Sequence, residues 1–303
     1  MEAVETVVAT AGDGRDRRTA FVFAGGAALG SIQTGMLRAL FKTGIQPDIV
    51  TGTSSGAVNG AMVAADPSPT SVERLTALWR AARRSDVVQV RPAGVLRAIT
   101  GRSAHLVEPT GLRRLVEEHI PIKRLEDARL PLAVVAADLS TRKKVVLTSG
   151  PTADALSAST AIPGLYPPVV IAGRALVDGG LVEDPPLATA VQAGATRAYV
   201  LPVGWPLVDA APNGWRARAL DALDWLFWRL ALAELDRWSS VCEVFVLPSP
   251  NTRTLSPFDP GSADALIELA ERMATGWLAD PRPWPAAPPI SSRGSRPGGP
   301  DAG

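Results

Sequence analysis

The chain has 303 residues, 46% hydrophobic and 20% charged, enough for one large α/β domain with a sizeable core. A formal net charge of +1 gives no global attraction for nucleic acid, and a single cysteine, Cys242, excludes an internal disulfide framework and fits a reducing compartment. With no histidine or acidic cluster near that cysteine and no oxygen-ligand loop, neither a metal nor a cofactor is expected.

Residues 1–18 carry Glu2, Glu5, Asp13 and Asp16 and lack a basic stretch followed by an apolar one, so they do not read as a secretory leader and are expected to be disordered. Thr19-Ala-Phe-Val-Phe-Ala24 is a short β run that ends in Gly25-Gly26. Ile32, Met36, Leu37, Leu40 and Phe41 then recur at helical spacing up to Gly44. A strand at 48–52 leads into Gly52-Thr53-Ser54-Ser55-Gly56, and a small-residue helix follows to about Ala65. This strand–turn–helix setting makes the G-x-S-x-G run a candidate nucleophile elbow, with Ser54 at its apex and Ser55 turned away. The β-turn-α order, twice over, argues for a parallel sheet covered by helices.

A helix is expected from about Ser71 to Arg83 and another from Thr110 to His119. Across 79–104, Arg80, Arg83, Arg84, Arg91, Arg97 and Arg102 outweigh Asp86; a solvated helix face plus loop explains them more cheaply than a basic lid for anionic phospholipid. Leu130–Ala137 reads as a buried strand that turns at 141–143 into 144–149 as a hairpin. A short helix at 154–160 precedes a second hairpin, 169–172 with 174–177, which ends in Asp178-Gly179-Gly180. Helix 186–193, strand 197–202, helix 214–238, strand 243–247 and helix 261–278 complete the pattern. Trp225, Phe227, Trp228 and Trp238 in the long helix read as core or as contact with a second copy of the chain, in preference to a membrane-interface face. The Pro/Gly-rich stretch 280–303 is expected to be a disordered tail, which leaves 19–279 as the folded domain. No apolar run reaches the roughly 20 residues of a bilayer span, so a cytoplasmic protein, peripheral to a membrane at most, is expected.

Three glycine-rich corners at strand ends carry the functional reading. Gly25-Gly26-Ala27-Ala28-Leu29-Gly30 enters a helix, and its N–H groups form a nest for a phosphate or an oxyanion. It fails as a dinucleotide fingerprint, because Ala27 stands where the second glycine is needed, and as a P-loop for want of Gly-Lys-Ser/Thr. The second corner holds Ser54, flanked by Gly52 and Gly56, and the third holds Asp178 before Gly179 and Gly180. The chain has only His105 and His119, which favours a carboxylate over imidazole as the base for a serine.

On these three motifs, with Ser157-Ala-Ser-Thr-Ala-Ile-Pro-Gly164 and Gly35-Met-Leu-Arg-Ala-Leu40, the chain resembles the patatin-like phospholipases of bacterial type over about residues 19–278. The resemblance implies a three-layer α/β/α fold with a mainly parallel central sheet and a Ser–Asp dyad with Ser54 as nucleophile and Asp178 as general base. It also implies an oxyanion hole at Gly25, Gly26 and Ala27, supported by Gly30, and lipid acyl-ester substrates. Two departures stand out. Ala27 and Leu29 replace the family's usual glycine and basic residue, and Ala27 keeps its N–H in place if its φ is negative. Asp184 stands where the family commonly has asparagine, and a second carboxylate near Asp178 is expected to raise the pKa of the pair. The reading is therefore a serine lipid acyl hydrolase. Its competitor is a non-catalytic lipid- or acyl-binding protein with a degenerate oxyanion loop.

Overall fold

The computed structural model describes residues 17–82, 106–107, 110–204, 215–252 and 260–284, with side chains of 215–224 left aside. The basic stretch 83–105, His105, and the termini 1–16 and 285–303 lie outside the described residues.

Eight strands form one sheet: β1 (Thr19–Phe23), β2 (Ile49–Thr53), β3 (Leu132–Asp138), β4 (Lys144–Leu147), β5 (Val169–Ile171), β6 (Arg174–Asp178), β7 (Arg197–Leu201) and β8 (Glu243–Val246). Their order is β5-β6-β3-β2-β1-β7-β8, with β4 also paired to β3. From β3 through β2, β1 and β7 to β8 every pairing is parallel, while β4 and β6 run antiparallel to β3 and β5 antiparallel to β6.

Strand alternation sends successive side chains to opposite faces and builds two cores. Phe21, Phe23, Val50, Tyr199, Leu201 and Phe245 face one layer of helices. That layer holds α1 (Ser31–Lys42), α2 (Ser55–Ala65), α3 (Pro69–Ala81), α5 (Thr152–Ser159) and α8 (Ala263–Leu278). Ala20, Val22, Ile49, Ala198, Val200 and Val244 face the other, made by α6 (Leu187–Gln192) and α7 (Trp215–Trp238). This is the expected three-layer α/β/α fold. The remaining helix, α4 (Thr110–His119), sits beside α5 and carries His119, whose ring Nδ1 lies 3.1 Å from Leu115 O, a local contact within its own helix.

Helix α3 starts two residues ahead of the expected Ser71, because Ser68 caps it and Pro69 occupies the first turn, where its missing N–H costs nothing. Arg80 pairs with Asp264 across to α8 at 2.6 Å. The long helix divides: Ala231 and Leu235 are buried against the sheet, whereas Trp225, Leu226, Phe227 and Leu230 are exposed. The core reading holds for its inner stripe and not for these four. Of residues 280–284, counted in the tail by composition, 280–283 are exposed and Trp284 packs against the edge of the sheet. There the N–H of Trp284 donates to Val244 O at 2.7 Å.

Candidate active site

The elbow is tight because of what surrounds it. Ser54 sits between the end of β2 and the start of α2 with φ 54° and ψ −129°, a left-handed backbone that a non-glycine residue adopts only under constraint. The flanking glycines answer close approaches. A Cβ on Gly52 would lie 2.6 Å from Ala57 Cα, and one on Gly56 would lie 2.4 Å from Ala24 O. The N–H of Ser54 donates to Ser159 Oγ at 2.9 Å, and the Ser159 hydroxyl donates to Val135 O at 2.6 Å. Ser159 therefore fastens the apex of the elbow to β3.

Sheet register brings the acid to the serine. Thr53 pairs with Val135, and Asp178 pairs with Ala136 on the far side of β3, so residues 54 and 178 reach the same level of the sheet. The Ser54 hydroxyl donates to Asp178 Oδ2 at 2.7 Å, and both residues are buried. The other oxygen, Oδ1, accepts the Gly180 N–H at 2.8 Å. Gly179 lets the chain pass over β3, since a Cβ there would come within 2.2 Å of Val135 O. Burial pushes the Asp178 carboxyl up to about 6, and the bonds from Gly180 and Ser54 pull part of that back.

The glycine corner departs from expectation in two ways. Gly25, expected as an oxyanion donor, turns its N–H to Asp184 Oδ1 at 2.8 Å. The amides that enter the short 3₁₀ turn Ala27–Gly30 are those of Gly26 and Ala27, and among the described residues they have no acceptor. Ala27 also has a positive φ of 51°, so the condition of a negative φ is not met, and it holds the left-handed conformation that glycine adopts freely. Asp184 is half-buried, and desolvation raises its carboxyl to about 7. The Gly25 N–H lowers it, while the charges of Asp178 and Glu183 raise it further.

A buried polar chain, not anticipated from the sequence, holds both ends of this corner. Gln33 Nε2 donates to Ala24 O at 2.7 Å and to Leu201 O at 2.8 Å. Asn59 Nδ2 donates to Gly30 O at 2.9 Å and to Gln33 Oε1 at 2.7 Å, and Asn59 Oδ1 accepts the Trp79 indole N–H at 3.0 Å. The visible signal was an amide side chain on the apolar face of each of two helices. Such a residue, fully buried, must find partners.

Trp79 also forms part of an apolar cavity of about 60 Å³ that opens on Ser54, with Ala28, Val58, Leu78, Leu115 and Tyr166 in its wall. Ser55, expected to face away, borders the same cavity, and its buried hydroxyl has no partner among the described residues. Among those residues no group of three or more His, Cys, Asp or Glu side chains is placed to hold a metal ion. The arrangement thus offers a hydroxyl on a carboxylate, two amides beside it and an apolar hollow, the parts an acyl-transfer site needs.

An elbow serine at the end of the parallel strand β2 thus meets an acid from β6, two strands along the sheet, across β3. The family model described as patatin-like phospholipase matches residues 21–191, more than half of the chain, and the chain belongs to that family. It is 29% identical over 235 residues to lysophospholipase NTE1 of Mycosarcoma maydis, covering 75% of this chain and 11% of that protein. An uncharacterised NTE-family protein of Mycobacterium tuberculosis is 30% identical over 278 residues, 80% of this chain and 73% of its own length. Among solved structures, VipD of Legionella pneumophila superposes with a TM-score of 0.46 at 14% identity, covering 88% of this chain and 67% of that one.

Proposed function

We infer that the chain is a lipid acyl hydrolase that works through a covalent intermediate on Ser54. The observation that carries this reading is the 2.7 Å hydrogen bond from Ser54 Oγ to Asp178 Oδ2. As the hydroxyl attacks an ester carbonyl carbon, its proton passes to Asp178, whose raised pKa makes it a stronger base than an exposed carboxylate. Charge that develops on the carbonyl oxygen falls to the N–H groups of Gly26 and Ala27, each donor of this kind supplying about 2.7–4 kcal/mol. Asp178 then protonates the departing alkoxide, and a water, deprotonated by the same carboxylate, releases the acid. The apolar hollow beside Ser54 receives the acyl chain.

Family membership supports a lipid ester as substrate. No helix among the described residues is long and apolar enough to cross a membrane. The exposed Trp225, Leu226, Phe227 and Leu230 give α7 an apolar face suited to peripheral contact with a lipid surface.

A fluorophosphonate probe tests the reading. Wild-type protein is expected to label and to hydrolyse lysolipid, Ser54→Ala to do neither, and Asp178→Asn to label far more slowly. Folded wild-type protein that never labels would instead favour the acyl-binding alternative, for which the occupied Gly25 amide and the strained Ala27 are the supporting features.

A further inference from the structure

Beside the glycine corner lies a second cavity, of about 230 Å³, that does not include Ser54. Gly25, Gly26, Val203, Phe227 and Trp228 line it, and Asp184 is the one ionisable residue among the described residues of its wall. Asp184 is unusual in its neighbourhood. Glu183, next in the chain, has Lys144 Nζ at 2.7 Å and also accepts from the N–H and the hydroxyl of Thr189. Asp184 has only the Gly25 N–H, on Oδ1, and no cation within ion-pair distance among the described residues. Its Oδ2 lies 3.2 Å from where a Gly25 Cβ would stand, and so does Ser54 Cβ, so the carboxyl and the candidate nucleophile flank the same glycine.

A carboxylate facing a largely apolar, aromatic-walled hollow with one hydrogen bond is costly to ionise, and a cation in that hollow would offset the cost. Aromatic faces attract cations as well, tryptophan most strongly, and quaternary ammonium groups are well matched to such walls. An anionic group would meet Asp184 unfavourably, and the described residues of the wall offer it no basic side chain.

Position supplies the rest. An ester attacked by Ser54 has two halves. The apolar cavity suits the acyl half, and the Asp184 cavity lies next to the serine in a separate hollow. We propose that the Asp184 cavity is a subsite for an alkylammonium group carried on the alcohol half of the ester. Assignment to the alcohol half rests on the hydrolase reading; recognition of the cation does not.

Two esters of the same acyl group test this: a choline ester and its uncharged, equally shaped 3,3-dimethylbutyl counterpart. Wild-type kcat/KM is expected to favour the choline ester by about tenfold. Asp184→Asn, which keeps an acceptor for Gly25, and Trp228→Leu should each draw that ratio towards one. If one variant fails to fold, the other and the wild-type ratio still decide. Equal hydrolysis of both esters by wild type would overturn the subsite while leaving the hydrolase reading intact. In the Ser54→Ala protein, calorimetric titration with choline and with 3,3-dimethylbutanol separates the two further. Preferential binding of choline by a protein whose wild type hydrolyses neither ester keeps the subsite and removes the hydrolase. Lysolipids with choline or glycerol head groups identify the source: a choline preference there assigns the cation to a lipid head group, and one confined to the small ester assigns it to a soluble substrate.

Discussion

Asn59 and Gln33 are joined side chain to side chain at 2.7 Å between two helices, and together they tether Ala24 O and Gly30 O, the carbonyls on either side of the candidate oxyanion loop. The amides of Gly26 and Ala27 are therefore held from both ends by side chains that do not line the cavity at Ser54.

Replacing Asn59 by leucine leaves the Trp79 N–H and the Gly30 carbonyl without these partners, each at roughly 1–3 kcal/mol. A clear loss of thermal stability is expected. At temperatures where the variant is folded, kcat on a soluble ester should fall with KM little changed, because the misplaced amides matter most to the transition state. Steady-state kinetics with circular dichroism as a folding control checks this; a change confined to KM would contradict it.

Asp178→Asn should trade activity for stability. Loss of the proposed base should lower kcat by about 10²–10⁴-fold. The wild-type carboxyl is raised in the folded state from 3.8 to about 6, so it disfavours folding as pH climbs through that window and is neutral below it. Denaturant melts should thus place the variant roughly 1–3 kcal/mol above wild type at pH 8, with the gap closing towards pH 4. A constant gap across that range would point to a different cause.

Asp184→Asn removes a negative charge beside Asp178. Both carboxyls are raised mainly by burial, to about 6 and about 7, and the charge of Asp178 raises Asp184 further. Activity that needs ionised Asp178 rises with pH through about 6, where Asp184 is still largely protonated, so the variant's acidic limb of kcat/KM should stay close to that of wild type. A limb moved well to lower pH would show that Asp184 is already charged when Asp178 ionises.

Ala27→Gly puts at φ 51° the residue that holds it without a Cβ penalty. The folded state should gain up to about 1 kcal/mol, less what the freer unfolded chain takes back. A small rise in Tm is the expected reading, measured alongside the fluorophosphonate labelling rate. A fall in Tm would mean that Ala27 is not strained.

Much of this was legible because each element obeys one simple period. Phe21 and Phe23 against Ala20 and Val22 mark a strand buried on both faces, and Ile32, Met36, Leu37 and Leu40 mark a helix with one apolar stripe. Ser54 and Asp178 were nameable as residues at strand ends, since glycine punctuation locates the corners. What escaped notice depends on paths between elements. Gly25 is engaged by an acid 159 positions away, and no local pattern announces that bond. At the elbow the backbone that bends out of range is that of Ser54, and Gly52 and Gly56 make room for Ala57 and Ala24. In α7 composition alone could not separate the inner stripe from exposed Trp225 and Leu230, because both are apolar.

The outermost parallel strand, β8, has its Val244 carbonyl capped by the main chain at Trp284, whose indole also donates to Asp236 at 2.6 Å. A sheet margin closed this way is a poor template for a neighbouring molecule to extend. Shortened forms that stop at Leu278 would bare that margin and invite self-association, so the segment 279–284 guards solubility as much as it completes the fold.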